Sequence, residues 1–143
     1  INDINVLFIG GASSIDKHYR VPGIEWWPQE LITTQDIDKA LTAQNVDVVV
    51  SHESPYVPKL SNKGAEDDIA DRGPEFAEAV NVSRQQRELL REILDQKRPR
   101  FWYHGHHHTR TTSILDGCQF ECLGCDGDAV SNRVLVIDTL DWY

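Results

Sequence analysis

The run Asp47-Val48-Val49-Val50 sits within Val46–Val50 and constrains this chain most. β-Branched side chains in near-continuous succession suit a strand covered on both faces, which is the condition of a central strand in a parallel sheet. A parallel sheet needs helical crossovers, and the flanking sequence supplies them. Residues Ile4–Ile9 form a second apolar run, closed by Gly10-Gly11. Between the two, Thr33 or Thr34 is placed to cap a helix over Gln35–Gln44 that turns Ile37, Leu41 and Ala40 inward. Beyond the central strand, Ser83-Arg84-Gln85-Gln86 reads as a capping box for a helix over Arg84–Lys97 with Leu89, Leu90, Ile93 and Leu94 on one face. Pro99 ends it, and Phe101–Tyr103 starts a third strand. Thr109–Leu115 and Cys118–Leu123 flank Asp116-Gly117, a two-residue hairpin signal, and Asn132–Leu140 reads as a further strand. The expected order is strand, helix, strand, helix, strand and then an antiparallel meander, an α/β chain with one antiparallel end.

Two stretches resist this pattern. Tyr56–Pro74 is a polar excursion whose acids Glu66-Asp67-Asp68 read as a solvated face, and Ala12–Glu30 is irregular. In the latter, Trp26-Trp27 before Pro28 is expected to pack the loop against the body, a ligand-facing role being the lesser alternative.

At 143 residues the chain is expected to form a single domain. A hydrophobic fraction of 40% is that of an ordinary globular protein. A formal charge of -9 speaks against binding to duplex nucleic acid or a membrane surface, both of which need clustered Lys and Arg. It suits a site for cations. Three cysteines, Cys118, Cys122 and Cys125, are an odd number in one short segment, so a reducing, cytoplasmic setting is expected rather than a disulfide framework. The chain contains no methionine, which suggests a piece of a longer protein.

The chemistry concentrates in Phe101–Arg110, FWYHGHHHTR, which holds four of the six histidines. Neutral imidazole is the commonest protein ligand for a metal. Ligands in α/β sheets sit beyond the carboxyl ends of strands, and three strand ends here deliver polar groups: Gly10–Ser14, His52 and Gly105–His108. Strict alternation would put His106 and His108 on one face with His107 opposite, and Gly105 permits close backbone approach. His104, before the glycine, reads as structural. Three other constellations rank lower. Cys118, Cys122 and Cys125 could join a histidine around zinc, against the plainer reading as small buried hydrophobes. Arg20 and Asp16 could orient a phosphate or pair with each other. Ser13, Ser51 and Ser54 lack the G-x-S-x-G setting of a hydrolase nucleophile.

Gly105-His106-x-His108 after a strand, with His52 at an earlier strand end, resembles the second half of a calcineurin-like metallophosphoesterase. The opening Phe8–Arg20 segment is similar to the stretch that follows that family's Asn-His motif, and Asn132–Asp138 to its closing strands. The resemblance implies the C-terminal portion of an α/β/β/α sandwich with a terminal antiparallel β-meander. It implies hydrolysis of a phosphomonoester or phosphodiester, a nucleic acid entering only as substrate. It further implies two divalent ions (Mn, Fe, Zn or Ni) about 3.5–4 Å apart, with His52 and His106 on one and His108 on the other. His107 either faces away or contacts substrate, and Arg20 is the other candidate substrate contact, although its pairing with Asp16 is the favoured reading. The family's D-x-H, G-D-x-x-D and G-N-H motifs do not occur here, so no catalytic residue carries over. This chain is then expected to hold one ion or none by itself, and to dimerise or associate with a missing N-terminal half. The competing expectation is a binding module that keeps the fold without a complete active site.

Overall fold

A computed structural model describes residues 4–58 and 72–134. Strands β1 (Val6–Ile9), β2 (Val48–Ser51), β3 (Phe101–His104), β4 (Thr111–Leu115) and β5 (Cys118–Cys122) form one sheet in the order β1-β2-β3-β5-β4. The first four in that order run parallel, and β4 pairs antiparallel to β5 at the edge. The sheet is therefore mixed, as expected for an α/β chain. The terminal arrangement differs from a meander, because β5 returns to lie parallel beside β3. Asp116 and Gly117 both adopt positive φ, 52° and 82°, as a tight β4–β5 hairpin turn requires.

Three α-helices lie wholly among the described residues: α1 (Thr34–Leu41), α2 (Pro74–Lys97) and the single turn α3 (Val130–Arg133). Thr33 caps α1: its hydroxyl accepts the Asp36 amide, and the Asp36 carboxylate accepts the Thr33 amide. α2 starts at Pro74, nine residues ahead of the Ser83 capping pattern, because proline is well suited to the first helical position. At its far end Arg98 turns left-handed (φ 48°) and donates its amide to the Leu94 carbonyl. No helix among the described residues is long and apolar enough to cross a membrane.

Period-two alternation divides the sheet cleanly. Val49, Trp102, Phe120 and Cys118 face the helices and join Ile37 and Ala40 of α1 with Leu90, Ile93 and Leu94 of α2 in the main core. Val48, Tyr103, Val6, Val50 and Phe101 form a smaller cluster on the other face, where the Phe101 and Tyr103 rings stack at 6.1 Å. Each large apolar side chain fully buried in this way contributes about 1.5–3 kcal/mol. Gln86 ties the loop after β1 to α2: its amide oxygen accepts from the Ile32 amide, and its nitrogen donates to the Ile32 carbonyl at 3.1 Å.

Three expectations shift. The further strand expected over Asn132–Leu140 begins in α3, and its residues beyond 134 lie outside the described residues. Of the Tyr56–Pro74 excursion, residues 59–71 lie outside them too. Trp26 is half-buried whereas Trp27 is 45% exposed, so only one of the two tryptophans packs inward.

Candidate functional site

β3 ends at His104 and β4 begins at Thr111 on the far side of β5, so residues 105–110 cross the carboxyl end of β5. The sheet pairing carries on briefly past the strands: the Gly105 amide donates to the His52 carbonyl at 3.2 Å. These two features bring the loop after β2 and the histidine segment together. The His106 Nδ1 and His52 Nε2 atoms are 3.3 Å apart.

The alternation expected across 106–108 is not what forms. His106 and His108 take left-handed φ values of 64° and 53°, so the segment coils instead of continuing as a strand. His107 consequently turns inward beside His106, with ring centroids 5.6 Å apart, and its side chain is 6% exposed. Its Nε2 lies 3.0 Å from Glu53 Oε1 and 3.0 Å from Ser54 Oγ. His107 is thus a buried partner of Glu53, where a residue pointing away from His106 was expected. His108 is exposed and lines the same cleft as His52 and His106. His104 points to the helix side, as its parity with Trp102 requires, and burial pushes its pKa down to about 4.

Glu53 is the residue that the sequence reading missed. Period-two geometry turns it, like Ser51, toward α2, while His52 projects to the exposed side. The carboxylate is wholly buried. It accepts the Ser54 amide at 2.7 Å and the Ser83 hydroxyl at 3.3 Å, and it stands 3.5 Å from His106 Nε2 and 3.9 Å from Arg87 Nε. Burial pushes its pKa up, but the His107 hydrogen bond, the electrostatic pull of the neighbouring His106 and His107 rings and the Ser54 amide outweigh that and hold it at about 2. For His106 burial dominates and lowers the pKa, against the pull of the Glu53 carboxylate. The available signal was the acid directly after His52 at a strand end, set opposite an arginine on the inner face of the next helix.

The turn is fixed from below. Trp102 Nε1 donates to Ser51 Oγ at 2.7 Å, and Ser51 Oγ donates to the Glu53 carbonyl at 2.6 Å. Gly11 (φ 99°) completes the site's other flank: a Cβ there would lie 2.7 Å from the Glu30 carbonyl oxygen.

A cleft of about 1630 Å³ runs along this edge, between the loop after β1 and the histidine segment. Arg20 lines it but is held by Asp16 through paired contacts of 2.9 and 2.8 Å. The pairing lowers the Asp16 pKa and raises that of Arg20. The cysteines do not converge on an ion: Cys118 and Cys122 are buried, and burial pushes the Cys118 thiol up to about 12. Among the described residues no group of three or more His, Cys, Asp or Glu side chains is gathered for a metal ion. His52 and His106 form a two-donor pair.

That pair fits an ion in its spacing. Two nitrogens about 2.0–2.1 Å from a tetrahedral zinc stand about 3.3–3.4 Å apart. No protein-family model and no curated protein matches this chain.

Proposed function

We propose that this chain supplies the histidine side of a metal-dependent phosphoesterase of the calcineurin-like kind, acting on a phosphomonoester or phosphodiester. The observation that supports it is the convergence of His52 from the β2 end with His106 from the β3 end, their nitrogens 3.3 Å apart beside a broad cleft. In this reading His52 and His106 hold one divalent ion and exposed His108 reaches a second. Mn, Fe, Zn and Ni all accept imidazole ligands. Bound divalent ions would supply Lewis-acid polarisation of the phosphoryl oxygen and hydroxide near neutral pH. The chain's own residues do the holding. Glu53 and Arg87 anchor the histidine segment from the α2 side, and the Gly105–His52 backbone contact sets how closely the two strand ends approach. Arg20, steadied by Asp16 on the cleft wall, is the candidate contact for a substrate phosphate.

The test is hydrolysis of chromogenic phosphomonoesters and phosphodiesters, with added Mn²⁺, by the natural protein that contains this chain. His106→Asn and His52→Ala are expected to lower activity by at least 100-fold, and undiminished activity in both would sink the proposal. One observation favours a second reading, a non-catalytic binding module: the described residues gather two metal donors and not three. That reading predicts metal or ligand binding with no turnover in the same assay.

A further inference from the structure

Among the described residues three arginines line the cleft, and they differ in how much of the guanidinium is left to offer a ligand. Each has five N–H groups in a planar fork. Arg87 is buried and faces Glu53. Arg20 engages all three of its nitrogens within its own loop: Nε and Nη2 donate to Asp16 at 2.9 and 2.8 Å, and Nη1 donates to the Glu25 carbonyl at 3.4 Å. Arg84 engages one. Its Nε donates to Glu88 Oε1 at 3.3 Å, an exposed pair one turn along α2, and among the described residues nothing accepts from its Nη nitrogens.

Arg84 is nevertheless held in place. Its guanidinium lies over the Tyr56 ring, 4.8 Å from the centroid. Tyr56 is fixed in turn: Arg87 stands over the same ring at 5.6 Å, and the Tyr56 amide donates to the Arg87 carbonyl at 2.7 Å. A guanidinium stacked on an aromatic face keeps its N–H edge open to a ligand in its own plane. The location is close to the histidines. Ser83, the residue before Arg84, donates its hydroxyl to Glu53 Oε2, and that one oxygen separates it from the His106 ring. Histidines apart, four basic side chains and three carboxylates line the cleft, a local excess that runs against the formal charge of -9 of the whole chain.

We infer that Arg84 is the anion-binding residue of this cleft. With its Nε on Glu88 and its face on Tyr56, it offers both Nη nitrogens to the oxygens of a phosphoryl group, and Tyr56 is the positioning residue behind it. The inference deepens the phosphoesterase reading above, from which the identity of the anion comes; the contact itself needs no metal.

The experiment measures binding of inorganic phosphate by calorimetry at low ionic strength, using the natural protein that contains this chain, stripped of metal and dialysed. Saturable binding is expected in the wild type. Loss of a charge-assisted contact made at two points should weaken it about 10–100-fold in Arg84→Gln. Arg84→Lys keeps the charge but not the fork and should lose at least about fivefold. Tyr56→Leu keeps Arg84 and removes its platform, for a loss of about 2–5-fold. Arg91→Gln removes a cation from α2 outside the cleft lining and should bind as the wild type does. No saturable binding in the wild type, R84Q affinity within about twofold of wild type, or an equal loss in R91Q would each overturn the inference. If R84Q does not fold by circular dichroism, R84K decides on the same twofold criterion. Phosphate binding through Arg84 without any hydrolysis would sink the phosphoesterase proposal alone, and hydrolysis with R84Q affinity unchanged would sink this inference alone.

Discussion

Replacing Trp102 by Phe tests whether the turn that carries His52 and Glu53 is held from the core. Trp102 is wholly buried, and its indole N–H reaches Ser51, whose hydroxyl in turn donates to the Glu53 carbonyl. Two losses follow from the substitution. The buried hydrogen bond is worth about 0.5–1.5 kcal/mol. Complete truncation of a buried tryptophan costs about 3–5 kcal/mol, and a phenyl ring keeps most of the contacts, so the residual void costs about 1–2 kcal/mol. Together they predict about 1.5–3.5 kcal/mol, or a fall in Tm of about 3–14 °C for a chain of this size. Urea unfolding followed by far-ultraviolet circular dichroism, with unchanged m, measures it. The mechanism is separated from the void by a cycle with Ser51→Ala, which alone strands the indole N–H at about 1–3 kcal/mol and costs less once the indole is gone. Additivity of the two substitutions within about 0.5 kcal/mol would refute the proposed relay.

Two further outcomes are expected from groups outside that relay. Buried His104, with a folded pKa near 4 against 6.5 for the unfolded group, takes up its proton more readily when unfolded. Stability should therefore fall as pH drops from about 6.5 to 4, by at most about 3 kcal/mol, and His104→Phe should flatten that segment of the pH–stability curve; an identical slope in the variant would count against the assignment. Thr33→Ala removes the α1 cap and should cost about 1 kcal/mol, seen as a Tm about 2–4 °C lower, and an unchanged Tm would mean that the cap contributes nothing.

What could be read in advance followed the strength of local signals. Thr33 with Asp36 and the inward Ile37 and Ala40 announced α1, and the valine run announced β2, because capping and side-chain period act over a few residues. Asp116-Gly117 foretold the hairpin, but nothing local could show that β5 would slot between β3 and β4, since that choice is made by non-local strand pairing. Ser83 shows the opposite error. Its capping pattern is sound as sequence, yet the helix was already under way and the hydroxyl serves the Glu53 carboxylate. For the site, His52 and His106 were legible as imidazoles at strand ends, and the structure brings them together. Glu53 was hidden because its role depends on Arg87 and Ser83, some thirty residues away. The turning of His107 was hidden because a left-handed His106 is set by the path of the chain rather than by its own preference.

That path has a consequence of its own. From β3 to β4 the backbone must clear the width of two strand spacings, about 10 Å, whereas six residues could stretch to about 20 Å. The slack is absorbed by the coil at His106 and His108. The interval between Gly105 and Arg110 therefore works as a ruler as well as a ligand set: each imidazole's position depends on how many residues share the crossing. A single insertion or deletion there would re-aim His106 and His107 while leaving every histidine in place, so in this segment length carries chemical information equal to residue identity.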